Sequence, residues 1–215
     1  DDDSAVKLST SKLSELKIMQ QAKANMKSKP HSGQMPRVSI PGYKWYHDSS
    51  GPHVLSFMHH YRYEFGYVCD ATNLLKVYFA KTRSEADEIF LKLNAWTPHP
   101  IKVVVTDGAK EFLSKSMKSN ALLKDVHMFE TPAYVSQRNA RIEHCWYRSN
   151  LIARCMLARC GGWIIFWAYC KAYAVEIMNV KLYGPTKKIP YVHFHGREVD
   201  YSKFIVFGCT VVIRF

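Results

Sequence analysis

Three acidic residues stand where chemistry could be done: Asp48, Asp107 and Glu143. Asp107 closes the run Val103-Val104-Val105-Thr106 and is followed at once by Gly108. A short β-branched run ending on an acid and a glycine predicts a buried strand that delivers one carboxylate to the rim of a sheet. Ligands of open α/β sheets sit outside the carboxyl ends of strands. Asp48 follows the aromatic run Tyr43-Lys44-Trp45-Tyr46-His47 and precedes Ser49-Ser50-Gly51-Pro52, and Glu143 falls in a helical pattern just after Gln137-Arg138-Asn139. Carboxylates that converge repel unless a cation lies between them, and hard oxygen donors suit Mg2+ or Mn2+. Two such ions could serve the attacking and the leaving oxygen of a phosphodiester displacement. Each acid also has a plainer reading. Asp48 could start a turn, and Glu143 could be an ordinary solvated helix residue. The joint occurrence of the three favours a site.

The charge balance points to a polyanionic partner. Thirty Lys and Arg against 18 Asp and Glu give a net charge of +12, which favours nucleic acid or an anionic membrane surface. A basic protein with an acidic pocket suits phosphoryl transfer on nucleic acid, the positive charge holding the backbone. No apolar run approaches the roughly 18 residues needed to span a bilayer. The start, Asp1-Asp2-Asp3, has the wrong sign for a secretory signal. The chain reads as intracellular, or as a segment of a longer polyprotein. Its six cysteines form no C-x-x-C pair and read as reduced small hydrophobes. His193 and His195 have no cysteine or acid pattern to complete a metal set.

The elements that must position the acids can be laid out in order. Residues 1–42 form a lysine-rich arm and linker, with a helix possible over 11–27 and prolines at 30, 36 and 41. An aromatic strand begins near Tyr43. A second runs from Tyr61 to Cys69, alternating Tyr61, Tyr63, Phe65, Tyr67 and Cys69 against smaller or polar residues. Asp70-Ala71-Thr72-Asn73 is turn chemistry, and Leu74 to Phe79 is the return strand. Thr82 and Glu85 form a capping box for a helix burying Ala86, Ile89, Phe90 and Leu93. Ile101 to Thr106 is the next strand, parallel because a helix intervenes. A helix over 114–123 and a short strand over 126–129 follow. A long helical region starts near Asn139 and breaks at Gly161-Gly162. A second apolar helix runs from Trp163 to Met178, with Trp163, Phe166, Trp167, Cys170, Tyr173, Ala174 and Ile177 buried. The tail from Ile189 suits strands or a hairpin. The order β-β-β-α-β-α-β followed by helices predicts an α/β fold, a five-stranded mixed sheet flanked by helices, with an N-terminal arm and a C-terminal extension.

On the Glu143 helix, Tyr147, Asn150 and Arg154 follow at i+4, i+7 and i+11 and share its side, while Ile142, Trp146, Ala153 and Met156 form a neighbouring apolar stripe. Arg138, Arg141 and Arg148 lie near by in sequence and could meet phosphates; for any one of them a solvated basic surface is an equal reading.

These residues carry a resemblance. His47-Asp48-x-x-Gly51-Pro52, Thr106-Asp107-Gly108-x-x-Glu111-Phe112, Thr131-Pro132-Ala133-Tyr134 and Gln137-x-Asn139-x-x-x-Glu143 stand in order, followed by Arg154-Cys155-Met156-Leu157, Phe166-Trp167-Ala168, Tyr173-Ala174 and Phe207-Gly208-Cys209. Together they resemble the catalytic core of copia-type LTR-retrotransposon integrases, relatives of retroviral integrases, from about Trp45 to Cys209. The resemblance implies an RNase H-like core over residues 43–183 and a C-terminal extension over 184–215. It implies that Asp48, Asp107 and Glu143 bind two Mg2+ or Mn2+ ions and join a DNA 3′-hydroxyl to a target phosphodiester. It further implies DNA contacts from Arg138, Asn139, Arg141, Tyr147, Arg148 and Arg154. Element ends and target DNA would be the partners, with homo-oligomerisation when active and no membrane. The implied location is the nucleus, or a cytoplasmic particle before integration.

Asp70 rivals Asp48 for the first position but lacks the Gly-Pro context, and Glu111 reads as a rim residue. Ala109, Ala140, His144 and Val180 depart from the family pattern, and Leu16 and Met19 stand where cysteines of a preceding zinc module would sit. Residues 1–42 then read as a degenerate remnant of that module. Two other functions stay open: a catalytically inactive or domesticated DNA-binding remnant, and an RNase H-like nuclease.

Overall fold

The structure is a computed structural model that describes residues 38–106, 114–130 and 140–209. Strand β1 (Lys44–Ser50) runs beside two partners of opposite sense. On one side β2 (Tyr63–Cys69) pairs with it antiparallel, and β3 (Leu75–Ala80) continues the meander. On the other side β4 (Val103–Thr106) and β5 (His127–Glu130) pair parallel. The order is β3-β2-β1-β4-β5, so the two strands expected to bear the first and second acids are neighbours at the middle of the sheet. Tight turns can join only antiparallel strands, and parallel strands need a crossover. The crossover into β4 is α1 (Ala86–Trp96), and that into β5 includes α2 (Lys115–Leu123).

Capping sets where these crossovers begin. The Glu85 carboxylate accepts the backbone N–H of Thr82 at 2.8 Å, and the chain enters α1 through one 3-10 turn, Arg83–Glu85. The Ser114 hydroxyl accepts the Met117 N–H at 3.1 Å and opens α2. After the sheet come α3 (Ala140–Arg159) and α4 (Trp167–Val180). Gly161 and Gly162, at φ +79° and +75°, turn the chain between them.

Strand β2 is buried along nearly its whole length, where alternation alone suggests one covered face. Helices cover both. Trp45, Phe65, Tyr67 and Val104 pack with Ile89, Phe90, Leu93, Met117 and Ala121 of α1 and α2. Tyr46, Val68, Leu75 and Val105 pack with Ile142, Cys145, Trp146, Val175 and Met178 of α3 and α4. The tail differs from expectation. It forms a short helix, α5 (Pro190–His195), with Pro190 in the first turn and Gly196 at φ +65° ending it. Phe194 enters the first core beside Trp45 and Trp96, so α5 packs onto the sheet domain. Trp163 is 63% exposed rather than buried, because the break at Gly161-Gly162 puts it in the connection before α4.

Candidate active site

Side-chain parity on β1 decides which way Asp48 faces. Tyr46 belongs to the core under α3 and α4, whereas Trp45 belongs to the core under α1. Asp48 lies two residues on from Tyr46 and therefore faces α3. His47, between them, turns to the other face and packs on Phe65 and Tyr67 at ring separations of 6.1 and 4.4 Å. Burial holds the His47 imidazole neutral, its pKa lowered to about 3 despite a hydrogen bond with the Gly66 backbone.

The Asp48 carboxylate is half-buried and oriented by two donors. The Ser49 N–H reaches Oδ1 at 2.8 Å, and the Trp146 indole N–H reaches Oδ2 at 2.9 Å. Trp146 is on α3, three residues after Glu143. Residues i and i+3 are neighbours on a helix surface, so the turn that grips Asp48 is the turn that carries Glu143. Glu143 itself is exposed. Asp107 follows Thr106, the last residue of β4, and lies outside the described residues, as do Arg138 and Asn139. Among the described residues, no group of three or more His, Cys, Asp or Glu could hold a metal ion. Asp48 and Glu143 are hard oxygen donors, one on β1 and one on the helix docked against it, a chemistry that fits Mg2+ or Mn2+. Cys145, next to Trp146 on α3, offers no thiolate, since burial pushes its thiol up to about 11.

Asp70 stands elsewhere. It is fully buried beyond the end of β2, where it pairs with Arg141 and with Lys44 at 3.8 Å and accepts the Val38 N–H at 3.0 Å. It is a counter-ion for two cations. Arg141 is accordingly held inside the fold, with its guanidinium 5.5 Å from the Tyr46 ring centre. The Tyr147 hydroxyl, on the same helix, is buried. Arg148 is half-buried over the Tyr183 ring at 5.6 Å, and Arg154 is exposed. Ala140 is the first described residue of α3 and lies in the helix, where alanine is the best of helix formers. The departure from glycine there therefore carries no strain.

Sequence spacing hides the role of Trp146, which reads there as one member of an apolar stripe. The available signal is Gly66. An interior glycine in a strand marks a close approach, and a Cβ there would lie 2.7 Å from the Trp146 ring. Beside that ring, a cavity of about 340 Å³ is lined by Ser50, His53, Glu64, Asn150, Arg154 and Lys171 among others.

Comparisons with known proteins bear on the fold. No family model matches the chain. Its fold, an open five-stranded mixed sheet flanked by helices, is similar to the RNase H-like fold of retroviral integrase catalytic cores. It is similar to a chain of the simian T-cell lymphotropic virus intasome solved in complex with PP2A regulatory subunit B56 gamma. That match has a TM-score of 0.66 and 14% identity, and it covers 82% of this chain and 62% of that one. The HTLV-2 integrase catalytic core domain in complex with magnesium matches at 0.57 in its trimeric form, with 15% identity over 73% of this chain and 98% of that domain. Its dimeric form matches at 0.56, with 15% identity over 72% and 97%. In sequence, the chain is 25% identical over 169 residues to the retrovirus-related Pol polyprotein from transposon TNT 1-94 of Nicotiana tabacum. The match covers 76% of this chain, which spans 13% of that polyprotein. The fold is therefore integrase-like.

Proposed function

We propose that this chain is a copia-type retrotransposon integrase core that joins a DNA 3′-hydroxyl to a target phosphodiester. The observation that carries the reading is the docking of the Glu143-bearing turn onto Asp48 through Trp146, at the middle strand of an integrase-like sheet. The proposed unit spans residues 43–183, with 1–42 as an arm and 184–215 as an extension. Asp48, Asp107 and Glu143 would hold two divalent ions, for which the HTLV-2 core solved with magnesium is the precedent. Ions so held would neutralise charge on the attacking and leaving oxygens of an in-line displacement. As the new P–O bond forms, the target strand's own P–O bond breaks. The proton of the attacking hydroxyl is released and the departing 3′ oxygen gains one. Phosphodiester bonds are conserved, so no nucleotide cofactor is needed.

The chain's residues have divided roles in this reading. Asp48 is fixed by its two donors and presents a carboxylate at the sheet rim. Glu143 presents a second from α3. Arg148 and Arg154, further along α3, track the DNA backbone together with Arg138 and Asn139. The net charge of +12 supports nucleic acid as the partner. No described helix is long and apolar enough to cross a membrane. Joining two element ends calls for more than one copy, and integration places the active form in the nucleus.

The reading is tested by strand transfer of a labelled oligonucleotide into duplex DNA with Mg2+ or Mn2+. Wild type should join, and Asp107→Asn or Glu143→Gln should fall to background. Joining unchanged in both variants would refute the mechanism. Cleavage of RNA in a hybrid without DNA joining would point to the nuclease. Salt-sensitive binding that ignores the acids, with no chemistry, would point to a DNA-binding remnant.

A further inference from the structure

We propose that Trp146 is the positioning residue for Asp48: its indole N–H fixes the direction of the carboxylate, and the buried Glu64–Lys171 pair fixes the indole. The inference rests on reading Asp48 as a metal ligand.

An aspartate carboxylate can rotate about two side-chain torsions. Here each oxygen has a directed donor, Ser49 N–H on Oδ1 and Trp146 Nε1–H on Oδ2. An ionised carboxylate offers about four acceptor positions, so a donor on an oxygen orients it without excluding a cation. Hydrogen bonds of this outer kind set ligand orientation in metal sites generally.

The indole is itself held by two contacts. Its six-membered ring lies on Gly66, where a Cβ would stand 2.7 Å from it. Gly66 is the residue paired with Asp48 in the β1–β2 register. The missing side chain at 66 therefore makes the slot through which the ring reaches the carboxylate opposite. The Lys171 ammonium sits 4.1 Å from the ring centre, a cation–π contact in a water-poor setting. Lys171 is only 2% exposed and is kept there by Glu64, 3.7 Å away and two residues before Gly66 on β2. Its ammonium also donates to the Asn150 side-chain oxygen on α3.

Gly66 and Lys171 thus meet on one ring whose single polar atom bonds Asp48, and Glu64 and Asn150 hold Lys171 there. Packing alone would be served as well by a phenylalanine. The indole N–H is the part that packing does not need.

The test compares wild type, Trp146→Phe and Asp48→Asn by Mn2+ titration, with calorimetry and the free-Mn2+ spin-resonance signal as readouts. Trp146→Phe should weaken Mn2+ binding roughly tenfold, the low end for removal of an outer-shell partner, while keeping a cooperative melt. Asp48→Asn should weaken it further. In the wild-type fold, Asp48→Asn should also shift the Trp146 indole N–H resonance, which reads the hydrogen bond even if Trp146→Phe does not fold. Mn2+ affinity unchanged or raised in Trp146→Phe, with Asp48→Asn losing it, overturns the positioning role and leaves the metal-site reading standing. Asp48→Asn binding Mn2+ as wild type does overturns both. An indole resonance unmoved by Asp48→Asn overturns the positioning role.

Discussion

Arg141, in the first turn of α3, closes on the carboxylate of Asp70, which is fully buried beyond the end of β2. A cation in the first turn of a helix opposes the helix dipole, and Asp70 offsets it. The same carboxylate holds Lys44 of β1 and the backbone N–H of Val38. One acid thus ties the sheet to the start of the helix that carries Glu143. Asp70→Asn would leave two cations without their counter-ion. Chemical denaturation should show a loss of roughly 3 kcal/mol, the scale for breaking a buried ion pair. A change within a few tenths would mean the pair behaves as a surface one.

Glu64 and Lys171 give a second stability test. Lys171→Met alone leaves the buried Glu64 carboxylate without its cation and should be less stable than Glu64→Gln combined with Lys171→Met. Urea midpoints of the single and double variants measure the difference. A double variant as weak as the single would contradict it.

The same lysine makes stability depend on alkaline pH. Burial lowers its pKa from 10.5 to about 8, against the opposing pull of Glu64 and Cys145 and with help from Arg154. Between those values the unfolded chain keeps a proton that the folded chain has released. Its contribution is present above pH 10.5 and is lost as pH falls to about 8. Wild-type unfolding free energy, measured against Lys171→Met, should climb by roughly 3 kcal/mol across that window. A flat difference would show the ammonium is not desolvated.

Gly66→Ala should destabilise by about 1–3 kcal/mol through overpacking against the indole. In the Trp146→Phe background the smaller ring leaves room, so the same change should cost at least about 1 kcal/mol less. A double-mutant cycle in urea reads the coupling directly. Additive effects would place the clash elsewhere.

The proposed DNA contacts along α3 make a prediction in salt. Arg148→Gln and Arg154→Gln should each reduce the slope of log affinity against log salt by roughly 0.9 for every phosphate the arginine neutralises, whatever the duplex sequence. Fluorescence anisotropy at several salt concentrations measures it. A slope unchanged in both variants would move the DNA path off this helix.

The sheet was legible because its signals are local. Alternation in Tyr61–Cys69, the turn at Asp70–Asn73 and the helical spacing after Thr82 each state one element, and connection rules fix parallel from antiparallel. Contacts between distant residues were not legible. Trp146 at helical spacing among apolar residues reads as core, and only the fold brings its N–H to Asp48, 98 residues away. Asp70 reads as turn chemistry, yet tertiary packing makes it a counter-ion. The tail misled because valines and aromatics suit strands. Pro190 and Gly196 bounded a helix instead, with Tyr191, Phe194 and His195 at helical spacing.

Crystals soaked in Mn2+ and measured at the manganese edge put the shared metal site to its most direct test. Anomalous density should lie against the carboxylates of Asp48, Asp107 and Glu143 and vanish in Asp48→Asn. Density on Asp70 instead, or none near Asp48 at saturating Mn2+, would contradict it.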